Sequence, residues 1–274
     1  MVSGKMRIHP LYKTKLTEIS QILLSLLILS INMNGPDFFR TKEIFFFLFV
    51  LVSLPYGNYR RIFDFLLIFS EFDRIVNTLQ KEDDDPILIA FYPLDDENLI
   101  VKDYQNGIVG SCVFGNIVVN INPLAKDFEM WIPYVMAHEY HHSVWGHIWY
   151  VLIGNAKGNL LEYLINEGQA DAFAKSLYSS LEPKWLNTLS SEQENLLWEK
   201  YMPVLNGTDR TELEKYIFGD ESLGLPWCAG YHFGYEIVKS YMKSNPDKNF
   251  NDLIETDPEV IYYNSRFYKK TMTD

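Results

Sequence analysis

His138-Glu139-Tyr140-His141-His142 is the stretch on which the reading of this chain turns. Four of the six histidines fall between positions 138 and 147. Within that cluster, His138-Glu139-x-x-His142 fits the spacing H-E-x-x-H. Residues four apart on an α-helix share a face, so two imidazoles at this spacing converge on one ion. Glu139 projects about 100° round the helix from His138, which lets its carboxylate flank such an ion without ligating it. Zinc takes imidazole nitrogen at about 2.0–2.1 Å and favours four-coordination, so two ligands leave two places to fill. The surrounding pattern predicts one helix from Trp131 through His147, with Pro133 tolerated in its first turn.

A catalytic zinc takes three protein ligands and keeps one position open. The third is expected from a separate element that crosses the first helix. Asn166-Glu167-Gly168-Gln169-Ala170-Asp171 lies in a second predicted helix, Asn159 to Leu181. Glu167 and Asp171 are four apart and share a face, while Leu160, Leu161, Leu164, Ile165, Ala170, Ala172 and Phe173 are apolar. Glu167 is the expected ligand. Asp171, one turn on, is placed to accept the remaining ring N–H of His138 and fix its tautomer. Gly168 removes bulk where helices approach closely. In this arrangement the metal would lower the pKa of water toward about 7, and Glu139 would complete its deprotonation.

HEYHH followed by NEGQAD resembles the thermolysin-type glutamate zincins, whose third ligand and orienting aspartate come from an N-E-x-x-x-D segment. More narrowly, the chain resembles bacterial predicted zinc-dependent proteases that carry HEYHH…EGxAD and a late GYxxGY segment, here Gly230-Tyr231-His232-Phe233-Gly234-Tyr235. The resemblance covers roughly residues 105–265. It implies His138, His142 and Glu167 as zinc ligands, Glu139 as general base and Asp171 as the orienter of His138. The gap from His142 to Glu167 is slightly longer than in thermolysin, which implies a different interhelical loop. The metzincin plan does not fit. Its H-E-x-x-H-x-x-G-x-x-H pattern meets Trp145 and Ile148 where glycine and histidine are required.

Other residues take supporting parts. His141 and His147 are expected as packing or surface residues rather than a fourth ligand. Tyr231, His232 and Tyr235 are candidates to donate to a developing oxyanion, Tyr231 being preferred over His232. Gly115–Pro123 precedes the motif helix, where thermolysin-like enzymes hold an edge strand that pairs with substrate. It is read either so or as an ordinary paired strand. Cys112 and Cys228 read as buried apolar side chains without a disulfide framework. Trp145, Trp149 and Tyr150 belong to core or pocket wall.

The rest of the chain sets bounds. Its 274 residues suffice for one large domain or two small ones, and 47% apolar with 15% aromatic content predicts a folded protein. The net charge of −12 argues against a nucleic-acid partner. Residues 15–33, 42–54 and 59–80 read as helices, and Glu82-Asp83-Asp84-Asp85 before Pro86 as a solvated turn. Strands are predicted at Ile87–Tyr92, Ile108–Val113 and Ile117–Asn122, the last two joined by a turn at Phe114-Gly115-Asn116. Further helices fit Ser190–Tyr201, Thr211–Phe218, Gly230–Lys243 and Asn251–Glu255.

The expected fold is α+β and mainly helical, a zincin-like domain over 81–274 with a small sheet before the motif helix, preceded by a helical region over 1–80. The apolar runs Ile22–Ile31 and Ile44–Leu54 are shorter than the roughly 20 residues of a membrane span. They read as core helices, with membrane association through residues 20–55 as the alternative; a cytoplasmic location is expected. The expected activity is peptide-bond hydrolysis with one Zn2+ and a peptide or protein substrate. The rivals are a non-catalytic zinc-binding or regulatory protein on the same scaffold and a membrane-associated peptidase.

Overall fold

The computed structural model describes residues 47–48, 65–82, 86–94, 104–122 and 125–269. The helix expected at 15–33, and most of the one at 42–54, lie outside them. Where the latter is described, Phe47–Leu48 forms a short strand, β1, rather than a helix. It pairs in parallel with β2 (Ile89–Pro93) through Phe47 and Ile89. β3 (Ile108–Val113) and β4 (Asn116–Ile121) complete a four-stranded sheet in the order β1-β2-β4-β3. β4 is parallel to β2 and antiparallel to β3.

The β3–β4 turn is the two-residue loop Phe114-Gly115, both at positive φ. A left-handed pair of this kind matches the twist of the flanking strands. Along β4 the side chains of Ile117, Val119 and Ile121 are buried, alternating with partly exposed neighbours. They make the sheet's inner face, the face that packs on helices. β4 is therefore internal. The reading of Gly115–Pro123 as an edge strand is corrected: among the described residues the edge next to the motif helix is β3, which pairs on one side only, with β4.

Helix α1 (Phe65–Thr78) and helix α2 (Ile132–Gly146) cover the inner face. Twelve of the fifteen residues of α2 are buried, so it has no solvent stripe. A helix of that kind is a core element rather than an amphipathic cover. A short 3-10 turn, Phe128–Trp131, leads into it, and Pro133 stands in its first turn. The helix then widens into a π-helix over His147–Leu152 instead of stopping at His147. Tyr140 fastens α1, its hydroxyl donating to Leu79 O at 3.0 Å while its ring meets Phe72 edge-on. The end of the 1–80 region thus shares one apolar cluster with the sheet and α2.

Helix α3 (Leu160–Leu177) starts at Asn159, whose side chain accepts the N–H of Glu162. Such capping satisfies an amide that the first helical turn leaves unpaired. The helix ends four residues before the expected Leu181, where Lys175 Nζ donates to the carbonyls of Ser179 and Leu181. Around α3 pack α4 (Ser191–Tyr201), α5 (Arg210–Phe218), α6 (Ala229–Ser244), α7 (Phe250–Ile254), α8 (Pro258–Tyr263) and α9 (Arg266–Lys269). They form a second apolar cluster. The closest approach is between α3 and α6. A Cβ at Gly168 would lie 2.1 Å from Gly234 O, and one at Gly234 would lie 2.0 Å from Leu164 O. Gly168 is a contact glycine as expected, facing α6. The arrangement is α+β and mostly helical, with α2 and α3 meeting at the seam between the two clusters. Among the described residues no helix is long and apolar enough to cross a membrane.

Candidate metal centre

At that seam α2 supplies His138, Glu139 and His142, and α3 supplies Asn166, Glu167 and Asp171. One ligating atom from each of His138, His142 and Glu167 lies within 4.8 Å of the others. The two imidazole Nε2 atoms are 3.0 Å apart. Glu167 Oε2 stands 3.2 Å from His138 Nε2 and 3.4 Å from His142 Nε2. Two bare nitrogen lone pairs and a carboxylate oxygen repel at such distances unless a proton or a cation lies among them. Ligands at 2.0–2.1 Å round a tetrahedral ion would be separated by about 3.3 Å, which is the scale of this triangle. The donor set, two imidazoles and one carboxylate, fits zinc.

The far side of each ring is also held. His138 Nδ1 lies 3.3 Å from Asp171 Oδ1, and Asp171 is fully buried. The same carboxylate receives the Tyr134 hydroxyl at 2.8 Å and the Trp185 indole N–H at 3.1 and 3.2 Å. His142 Nδ1 lies 3.1 Å from Asn166 Oδ1. An acceptor at Nδ1 places the ring proton there and leaves Nε2 as the lone-pair atom facing the triangle. Asn166, Tyr134 and Trp185 are residues that the spacing argument did not single out. Asn166 adjoins Glu167 and was within reach of it; the other two become visible only once α2 and the Lys184–Leu186 turn are folded against α3.

The electrostatics follow from burial and crowding. Burial raises the Glu139 carboxyl above the usual carboxylate range, with the His138 and His142 imidazoles opposing it. Burial also acts to raise Glu167, but His142 beside it and the hydrogen bonds from both histidines hold it well below that range. For His138, burial opposes the charge while Asp171 and Glu167 favour it, and the balance lies well above the ordinary imidazole value. The group therefore attracts a positive charge, whether proton or metal. His141 is different: it is buried against Phe173, and burial together with His142 and His138 keeps it neutral. It packs, as expected, and is not among the three converging donors.

The triangle opens into a cleft of about 1240 Å³. Its walls include Val109 to Cys112 of β3, Glu139, Tyr231 and both cysteines. Gly110 makes room for the Glu139 carboxylate, since a Cβ there would sit 2.3 Å from Glu139 Oε1. Cys112 is half-buried rather than buried, and burial with Glu139 alongside pushes its thiol up to about 12. Cys228 is buried, and both cysteines are free. Tyr231 stacks over His138 at 6.5 Å and 23°. Burial first, and then Glu167, raises its phenol well above the ordinary value, so the hydroxyl remains a donor. His232 is not brought to the cleft. Its Nδ1 lies 2.9 Å from Leu186 O and its Nε2 3.3 Å from Glu194 Oε2. On α6 it sits about 100° round from Tyr231, which is enough to turn it into the helical cluster. That corrects its candidacy.

No solved structure matches the chain. A curated relative, "Uncharacterized protein YjfC" of Bacillus subtilis (strain 168), is 31% identical over 150 residues. The match covers 50% of this chain and 49% of that protein, so it spans about half the relative's length. The family model described as "Predicted Zn-dependent protease (DUF2268)" matches residues 67–262, and the chain belongs to that family.

Proposed function

We propose that the chain is a zinc metallopeptidase of the glutamate-zincin kind, holding one zinc ion through His138, His142 and Glu167. The observation that carries this reading is the triangle of Nε2, Nε2 and Oε2 atoms with Glu139 beside it and a cleft in front. When bound, zinc would supply Lewis-acid chemistry, acidifying water and polarising a carbonyl. Glu139 accepts the proton of the attacking water and returns it to the departing amine. Its raised affinity for a proton suits both transfers. Asp171, held by Tyr134 and Trp185, keeps His138 in the tautomer that leaves Nε2 free. The Tyr231 hydroxyl donates to the carbonyl oxygen as charge develops on it. An extended peptide adds to the edge of β3 that is unpaired among the described residues, which brings its backbone past Glu139 at Gly110.

The test is hydrolysis of a broad peptide mixture by the wild type beside Glu139→Gln. Proton transfer by a positioned side chain accounts for about 10²–10⁴-fold in rate. We expect a loss of that size with zinc content unchanged. Equal activity in the two proteins would reject the assigned base, and bound zinc without turnover of any peptide would favour a binding protein.

A further inference from the structure

Residues 150–153 form a run that a folded surface ordinarily avoids. Tyr150, Val151, Leu152 and Ile153 are consecutive, apolar and each at least half exposed. Runs of this kind oppose folding in water and aggregation-free solubility unless a partner covers them. The π-helix displays them, its wider ring being closed by the Ile153 N–H donating to Ile148 O. Across the cleft mouth stands Phe114 at the tip of the β3–β4 turn, wholly exposed and at a φ of 50°. A bulky residue at positive φ is strained where asparagine or glycine would not be.

The two features flank one groove. Ser143 Oγ donates to Gly115 O at 2.7 Å, which pins the hairpin tip to α2. One turn on, a Cβ at Gly146 would touch the Tyr150 ring at 3.9 Å, and that ring packs on Trp145. Phe114, Tyr150 and Val151 all line the same cleft as Glu139. Gly110, four residues before Phe114, lies against Glu139. At about 3.3 Å per strand residue, the patch is therefore about 13 Å along the strand from the reacting position.

We infer that Phe114, Tyr150 and Val151 form a distal subsite for a bulky apolar side chain of an extended peptide, three to five residues from the bond that is cut. This deepens the peptidase reading and rests on it. Continuity with the cleft and with the β3 edge, unpaired among the described residues, selects a peptide as occupant. A lipid surface fits less well, since a chain of net charge −12 is repelled by anionic membranes.

The test measures binding with Glu139→Gln protein, so that turnover does not enter. Fluorescein-labelled twelve-residue peptides carry a leucine or a serine block at the third to fifth positions from the centre, on the amino or the carboxyl side. We expect one of the two series to bind about tenfold tighter with leucine than with serine, the scale of burying one such side chain. Phe114→Ser combined with Val151→Ser should bring that ratio close to one. Leu196→Ser, an exposed apolar residue on α4, should leave it unchanged. Equal binding of leucine and serine peptides in both series overturns the subsite, as does a ratio that survives the double substitution. Patch-dependent sedimentation with phosphatidylcholine vesicles, or a patch-dependent dimer, overturns it when no peptide preference accompanies it. Should the preference hold while the wild type cleaves none of the peptides, the subsite stands and the hydrolase reading falls.

Discussion

Two buried histidine–carboxylate networks, one between α2 and α3 and the other between α4 and α6, differ in one respect. In the first, His138 and His142 face Glu167, with Asp171 behind. Among the described residues these two carboxylates form ion pairs with histidines alone. In the second, His232 faces Glu194, and Arg266 closes the group with a two-pronged pair to Glu194 at 2.6 and 2.7 Å and a third contact to Glu236 at 2.9 Å. The second network carries its own cation and ties the last helix to α4 and α6. Among the described residues, no lysine or arginine pairs with the carboxylates of the first. A built-in guanidinium makes a staple; its absence makes a place for a dication.

The largest way to break the contrast is Glu167→Gln. It removes the one anionic donor of the triangle, and zinc affinity should fall by more than the about 10–100-fold that outer partners command. Isothermal titration with zinc checks this, and unchanged affinity would contradict it. Asp171→Asn tests the layer behind. Asparagine cannot accept the His138 proton and the Tyr134 and Trp185 donors as a carboxylate does, so zinc affinity should drop about 10–100-fold. Glu194 substitutions should leave it alone.

The legibility of these two networks from sequence was unequal. The i, i+4 spacing on α2 and the Glu167/Asp171 spacing on α3 are local, and a helix converts such spacing directly into a shared face. The triangle could therefore be read before any fold was known. His232 shows the limit. It neighbours Tyr231 in sequence, but only the packing of α6 on α3 decides which of the two turns to the cleft, and the Gly168–Gly234 contact sets that packing. The strand order could not be read either, because β3 and β4 are equally strand-like, and the edge is decided by β2 pairing with β4. The π-helix left no periodicity signal, since one extra residue per turn blurs the helical pattern within six residues.

The second network is sharpened by Arg266→Ala. It leaves the buried Glu194 without its guanidinium partner and with His232 beside it, and because Arg266 is 39% exposed the loss of stability should be about 2 kcal/mol rather than the larger figure for fully buried pairs. Zinc content should not change. A smaller effect is expected with acid. Although burial opposes it, Arg266 and then His232 hold the Glu194 carboxyl below the ordinary range. Its stabilising contribution is complete above the unfolded pKa of about 4.3 and disappears as pH falls through the lower folded value. Denaturant midpoints of wild type should therefore approach those of Glu194→Gln below about pH 4. A constant gap between the two proteins across that range would contradict the linkage.

X-ray absorption at the zinc edge, on protein loaded with zinc and dialysed, reads the ligands of the His138, His142 and Glu167 site itself. The expected result is about one zinc per chain, with nitrogen and oxygen neighbours at about 2.0–2.1 Å and the scattering of two imidazoles. The same shell should appear in Glu139→Gln. A sulfur shell at about 2.3 Å, which would implicate the cleft cysteines, or protein that retains no zinc, would contradict it.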